Sequence, residues 1–182
     1  YKIVDQNGDG VIDLQDRTII GNPNPDFVYG MNLELSYKNL SLRVLANGVY
    51  GNDIANGNLL QLATPEGVSW SNITTAAYNN AWRPDRPSNI YPRIGYTTNG
   101  SIAMPDWIIE DGSFLRISTI NLSYQFDKIN VYLSAQNLFT FTGYSGYNPE
   151  TTSFLYDGLR NGVDWNGQPN ARKFTLGLNF NL

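Results

Sequence analysis

The ten residues at positions 173–182, KFTLGLNFNL, alternate without a break between two kinds of side chain. The apolar positions, spaced two apart, are Phe174, Leu176, Leu178, Phe180 and Leu182. The positions between them, polar or glycine, are Lys173, Thr175, Gly177, Asn179 and Asn181. Successive side chains of a β-strand point to opposite faces. The pattern therefore predicts a strand over 174–182 with one apolar and one polar wall.

The same alternation occurs four more times earlier in the chain. It predicts strands over 31–37, 40–47, 114–124 and 129–142, the last of them interrupted at Asn137. Links of only two residues, 38–39 and 127–128, join these strands into two hairpins. The connections 51–112 and 143–172 are long by comparison.

Short turns at one end and long loops at the other are the layout of a transmembrane β-barrel. We therefore expect an all-β fold in which about five antiparallel strands form part of such a barrel, because closed single-chain barrels start at about eight strands. In this layout the short turns are periplasmic and the long loops extracellular, which places the C-terminus in the periplasm. A soluble β-sandwich would have a similar bulk composition, and only the strand pattern separates the two.

The composition excludes several functions. The 182 residues contain no His and no Cys, which removes the commonest general base, thiolate metal sites and disulfides. No spacing suggests a catalytic triad, so we expect no enzymatic activity. The net charge of −4 argues against nucleic acid as a partner.

A calcium-type loop lies at residues 5–16, with the sequence DQNGDGVIDLQD. Gly10 permits the sharp turn of such a loop, and Asp16 stands where an EF-hand has Glu. The expected oxygen ligands are Asp5, Asn7, Asp9, the Val11 carbonyl, Asp13 and Asp16. The competing interpretation is a turn rich in Asp and Asn that binds no ion.

Aromatic and arginine residues in the long connections suggest a ligand-binding vestibule, because aromatic rings stack on sugars and contact peptides. The candidate substrate-binding residues are Trp82, Arg83, Tyr91, Tyr144 and Trp165. The alternative for the rings is interfacial and loop packing. Arg83, Arg86 and Arg93 form a cluster that could contact an anionic ligand, but the sequence favours bracing of the loop through pairs with Asp85 or Asp106.

Several motifs together resemble the SusC/RagA family of TonB-dependent outer-membrane transporters. The first is DxNGDG followed by DRTIIGNPNPDFVYG, within residues 5–30. Further matches, in order, are YKNL (37–40), GVYGN (48–52), WIIEDGSFLR (107–116), QNLFT (136–140) and GYSGYNPE (143–150). The resemblance covers nearly the whole chain, which ends on an alternating strand as that family does.

The resemblance implies that residues 1–182 are the C-terminal portion of a barrel of about twenty-two strands, without its N-terminal plug domain. It implies import of oligosaccharides or peptides across the outer membrane. The implied partners are a SusD-like surface lipoprotein, TonB acting through the missing N-terminal region, the rest of the barrel chain and outer-membrane lipid.

Two other functions remain open from the residues alone. One is a soluble calcium-binding adhesion or dockerin-like β module, although a dockerin would carry a second copy of the loop. The other is a carbohydrate-active enzyme, which would need paired carboxylates in a cleft.

Overall fold

The structure, a computed structural model, describes residues 4–63, 72–94, 104–150 and 161–180. In chain order the strands are β1 (Phe27–Tyr37), β2 (Leu40–Tyr50), β3 (Asp53–Asn56), β4 (Ile109–Asp111), β5 (Phe114–Phe126), β6 (Ile129–Thr142), β7 (Val163–Asp164) and β8 (Lys173–Phe180). The helices are α1 (Gly57–Ala63) and α2 (Thr75–Asn80), with short 3-10 turns at Leu14–Asp16 and Asp106–Ile108. None of the helices in these ranges is long and apolar enough to cross a bilayer.

The five long strands form one antiparallel sheet in the order β1-β2-β5-β6-β8, which we call the wall sheet. This confirms the predicted fold class and all five predicted strands. β1 begins four residues before the predicted start at 31, and β2 ends three residues after 47. Val28 and Gly48 explain the difference, because Val28 is apolar at a polar position of β1 and Gly48 stands at an apolar position of β2. Residues 181–182 of the predicted last strand lie outside the described residues.

One face of the wall sheet carries a row of leucines that crosses all five strands. The register pairs Leu35 with Leu42, Leu42 with Leu122, Leu122 with Leu133, and Leu133 with Leu176. Most of this face is open, and Leu176 is 73% exposed. The alternation seen along each strand thus becomes a continuous apolar surface across the sheet.

The opposite face carries a polar row one residue along. It runs through Glu34, Arg43, Asn121, Ser134 and Thr175, which are paired in turn. Glu34 and Arg43 form an exposed ion pair of 2.9 Å beside a recess of about 250 Å³.

The interruption at Asn137 is an irregularity in the pairing of β5 with β6. Asn137 adopts φ 53°, a left-handed conformation that Asn tolerates better than most residues. Its side-chain amide donates to the Ala171 carbonyl at 3.1 Å. On β5 the register skips Ser118, whose hydroxyl donates to the Leu45 carbonyl at 3.0 Å.

A second, smaller sheet in the order β4-β3-β7 lies in the long connections, and we call it the loop sheet. It follows β2 through Gly51, which adopts φ 84°. Antiparallel pairing joins β3 to β4, and parallel pairing joins β3 to β7. The largest fully buried side chains of the described residues, Ile54, Ile108 and Asp164, all lie in it or next to it. The sequence did not predict this sheet.

Candidate functional site

The loop at residues 5–16 is closed by carboxylates that bind its own backbone. Asp5 accepts hydrogen bonds from the Gly8 and Gly10 N–H groups at 2.7 and 2.8 Å. Both glycines have positive φ, 75° and 82°, so the tight turn needs residues without a Cβ there. Asp16 accepts from the N–H groups of Gln6 and Asp13, each at 2.8 Å, and so ties the end of the loop to its beginning.

Three other predicted ligands make similar contacts. Asn7 accepts from Asp9 N–H, Asp9 accepts from Val11 N–H, and Asp13 accepts from Gln15 N–H. The N–H donors of Asp13 and Gln6 lower the pKa of Asp16 below its ordinary value, because they favour the charged carboxylate. Within the described ranges, no three acidic side chains are arranged to hold a metal ion. In this conformation the carboxylates accept hydrogen bonds from the backbone N–H groups of the loop itself.

Three of the predicted substrate contacts lie together in the segment after α2. Residues 81 and 91 form a parallel bridge, and Trp82 N–H donates to the Tyr91 carbonyl at 3.1 Å. The ring of Tyr91 meets the ring of Trp107 edge-on, with centroids 5.9 Å apart. The Trp82 side chain is exposed.

Arg83 does not brace this segment by pairing with Asp85 or Asp106, so that interpretation is wrong for Arg83. Both ion pairs found among the described residues lie elsewhere, at Arg43–Glu34 and Arg116–Glu150. Arg83 instead donates to the Tyr78 carbonyl at 3.2 Å, and its guanidinium lies 4.6 Å from the centroid of the Tyr78 ring.

Tyr144 is not a surface residue, which corrects its assignment as a substrate contact. It is only 5% exposed, and its hydroxyl donates to the Asp164 carboxylate at 2.6 Å. Burial, followed by that hydrogen bond, raises the pKa of Tyr144 well above its ordinary value. A ring enclosed in this way packs within the protein and presents no face to a ligand.

Asp164 itself is completely buried, and a second bond from Gly167 N–H at 3.0 Å satisfies its other oxygen. Trp165 follows Asp164 and is 42% exposed. Its ring packs against Gly57, where a side chain would collide with it. Of the five candidates, Trp82, Arg83 and Tyr91 therefore share one segment, while Tyr144 and Trp165 belong to β7 and its surroundings.

Sequence reasoning missed two polar clusters that tie the long connections together. In the loop sheet, Glu110 accepts from the Asn56 amide at 2.8 Å and from the Ser145 hydroxyl and N–H at 2.8 and 2.7 Å. Next to it, the hydroxyl and N–H of Ser113 lower the pKa of Asp111 by hydrogen bonding to its charged form.

The other cluster surrounds Arg116, which is 4% exposed. Arg116 pairs with Glu150 and donates to Asn148 and Thr140 at 2.7 and 3.0 Å. Asn47 of β2 also donates to Glu150, at 3.0 Å. These residues fasten the connection after β6 to the wall sheet. The sequence offered one signal for this cluster, which is the charged Arg116 among the apolar and small residues at the start of β5.

No protein-family model matches the chain. The chain is 33% identical over 189 residues to TonB-dependent receptor P3 of Formosa agariphila, covering 96% of the chain and 18% of that relative. It is 30% identical over 190 residues to TonB-dependent receptor SusC of Bacteroides thetaiotaomicron, covering 96% of the chain and 17% of that relative.

Solved structures show the same relationship. The chain superimposes on a structure of the RagAB peptide transporter with a TM-score of 0.75 and 25% identity, over 93% of this chain and 19% of that one. The RagAB peptide importer in its open-open state gives a TM-score of 0.72 at 25% identity. The chain spans less than a fifth of the length of these relatives.

Proposed function

Since this chain is a segment of a TonB-dependent receptor of the SusC/RagA family, we propose that it forms part of the barrel wall of an outer-membrane transporter, together with the loops that join these strands. The complete transporter imports oligosaccharides or peptides. A SusD-like lipoprotein works with it at the cell surface, and TonB acts through a plug domain. The observation that carries the proposal is the leucine row across the wall sheet, backed by a polar row.

An apolar face of this kind suits lipid and not water. Exposing apolar surface to water costs about 25 cal/mol per Å², so five adjacent leucines are unfavourable on a soluble protein. Lipid tails remove this cost. The polar face, with its Glu34–Arg43 pair, then lines the interior of the barrel.

The free edges of the wall sheet support a larger barrel. In the described residues, β1 and β8 each pair on one side only. Unpaired strand edges attract other strands and are removed when a barrel closes. The remaining strands of the same barrel would pair with both edges.

The long connections would lie outside the cell, where ligand arrives. The loop sheet and its polar clusters give these connections a fixed shape. The substrate contacts that we retain are Trp82, Arg83, Tyr91 and Trp165, since the burial of Tyr144 excludes it.

Uptake by whole cells tests the proposal. Cells that express the full-length receptor should accumulate members of a labelled oligosaccharide or peptide pool, and should lose uptake when TonB is deleted. A tagged receptor should co-purify with a surface lipoprotein. Uptake that continues unchanged without TonB would contradict the assignment.

We also propose that Asp5, Asn7, Asp9, the Val11 carbonyl, Asp13 and Asp16 hold a structural calcium ion. Spaced carboxylate and amide oxygens suit this hard cation, and dehydrating magnesium costs more. Binding requires the carboxylates to turn from the backbone N–H groups toward the ion. An extracellular site needs a Kd of only about 10⁻⁴–10⁻³ M, so Asp16 in place of Glu is acceptable.

Calcium titration of the full-length receptor in detergent, after chelation, tests this site. Asp9→Ala should remove one binding event in this range, and Asp127→Ala, in a turn of the wall sheet, should leave it. Identical titrations for the wild type and Asp9→Ala would rule the site out in favour of the ion-free turn.

A further inference from the structure

A two-residue turn after α2 places two arginines side by side. Arg83 and Arg86 exchange both backbone hydrogen bonds, at 3.2 and 3.1 Å, across Pro84 and Asp85. Residues that exchange both bonds are directly opposite each other, and their side chains leave the same face. Pro84 stands at the second turn position, where the fixed φ of proline stabilises a turn. Two positive charges placed in this way repel each other.

Arg83 has a structural partner. Its guanidinium donates to the carbonyl of Tyr78, a residue in the last turn of α2, and stacks over the Tyr78 ring. Basic side chains commonly satisfy carbonyls at the C-terminal end of a helix. Capping of α2 therefore gives the position of the Arg83 guanidinium a structural explanation, since it is fixed before any ligand binds.

Arg86 has no such explanation. Its side chain is exposed and makes no hydrogen bond or ion pair with any residue that the structure describes. Asp85, its immediate neighbour, does not pair with it. An exposed arginine thus stands opposite an immobilised one, in a chain whose net charge is −4.

We infer that Arg83 and Arg86 form a subsite for the carboxylate or sulfate groups of an acidic oligosaccharide. An oxyanion between the two guanidinium groups would remove their repulsion and accept paired hydrogen bonds, which the planar arginine fork provides. Arg83 is already held in place, so little conformational entropy is lost on its side. Arg86 closes on the anion from the opposite position.

The Tyr78 ring favours a sugar over an acidic peptide. Although the Arg83 guanidinium lies over this ring, Tyr78 is 53% exposed, and the uncovered part of the ring offers a partly apolar surface to a pyranose ring. Acidic oligosaccharides carry anionic groups at fixed spacing on stiff rings, which suits a preorganised pair of cations next to an aromatic face. The subsite rests on the proposed import function and specifies the class of its substrate.

Binding to the purified full-length receptor tests the subsite. The probes are tetragalacturonate, which carries carboxylates, a sulfated carrageenan tetrasaccharide, and neutral maltotetraose. Arg86→Ala should weaken binding of an acidic probe by about tenfold or more. Arg86→Lys, which keeps the charge but loses the fork, should lie between this variant and the wild type. Arg172→Ala, at another exposed arginine, is the matched control and should bind as the wild type does.

Three results would overturn the inference. They are failure of both acidic probes to bind better than maltotetraose, equal affinity of an acidic probe for the wild type and Arg86→Ala, and equally tight binding of a tetraglutamate peptide. Uptake by cells is measured in parallel. TonB-dependent uptake of other oligosaccharides or peptides, together with any of these results, would remove the subsite and leave the import function standing.

Discussion

The wall sheet and the loop sheet bury their side chains in opposite ways. The edge strands β1 and β8 of the wall sheet leave most of their side chains open, and no described residues form a layer over the leucine row. The short strands of the loop sheet surround a small core of Ile54, Ile108 and the Asp164 carboxylate. Pairs and hydrogen bonds within the chain therefore hold the loop sheet. In the proposed barrel, the wall sheet depends on lipid and on further strands.

This difference separates two sources of stability. Residues of the loop sheet find their partners in the connections themselves, as Tyr144 does with Asp164. Residues of the apolar wall face have neighbours along and across the strands, but in the proposed barrel their main partner is lipid. Arg116 and Glu150 fasten the connection after β6 to the wall sheet, so their loss should loosen this attachment.

Removing Glu150 should have the largest effect. Glu150→Ala leaves the Arg116 guanidinium buried without its charged partner, which should cost about 3–5 kcal/mol. The matched control is Glu34→Ala, which breaks the exposed Arg43 pair and should cost about 1 kcal/mol or less. Reversible unfolding of the full-length receptor in lipid vesicles measures both. Equal losses would show that the buried pair contributes no more to stability than the exposed pair.

Substitutions on the two faces of the wall sheet should differ clearly. Leu133→Arg and Leu176→Arg should each cost about 2–4 kcal/mol if they lie near the bilayer midplane. Ser134→Arg and Thr175→Arg, a directly paired couple on the other face, should cost less because they face the interior. Unfolding in lipid provides the comparison. Similar costs on both faces would contradict a lipid-facing wall.

Loss of one hydroxyl should loosen the loop sheet alone. Tyr144→Phe removes the hydrogen bond to the buried Asp164 carboxylate and should cost about 1.5–3 kcal/mol of local stability. Hydrogen exchange of the Ala55 amide, which donates to the Gly162 carbonyl, reports this opening. Tyr147→Phe, at an exposed tyrosine, is the control. Undiminished protection in Tyr144→Phe would contradict the assigned role.

The pH dependence of this contribution follows from the raised pKa of Tyr144. The contribution is fully present below the unfolded pKa of about 10, and it is lost as the pH rises above that value toward the folded pKa. In the protein with Tyr144 intact, we therefore expect the protection of the Ala55 amide from hydrogen exchange to be independent of pH between about 6 and 9.

Labelling of single cysteines on intact cells should place the two ends of the sheet without altering stability. A cysteine at position 161, in the long connection before β7, should react with a membrane-impermeant maleimide. A cysteine at position 128, in the short turn before β6, should react only after the outer membrane is opened. The opposite pattern would invert the proposed orientation.

The wall sheet was predictable because each of its strands is marked by the alternation of its own neighbouring residues. Alternation from Ile129 to Thr142 marks a strand whichever partners it has, and even the Asn137 irregularity showed as a break in the pattern. β1 was predicted too short because Val28, an apolar residue at a polar position, hides the alternation, although the sheet continues through it.

The loop sheet was not predictable because its strands form only through pairing between residues that are far apart in the sequence. β7 has two residues, and it pairs with β3 more than a hundred positions earlier. Nothing near Tyr144 in the sequence indicates that its hydroxyl meets Asp164, so a buried tyrosine and an exposed ligand contact look the same. At residues 5–16 the spacing of the oxygens was readable, but not the backbone N–H groups that they contact here.

The central claim is that the leucine row faces lipid. Spin labels at single cysteines introduced at positions 35, 42, 122, 133 and 176 of the full-length receptor in bilayers test it most directly, with labels at 134 and 175 for comparison. The leucine positions should all be accessible to oxygen and shielded from a water-soluble nickel relaxant, and positions 134 and 175 should not show this lipid signature. Water accessibility at the leucine positions equal to that at 134 and 175 would contradict the claim.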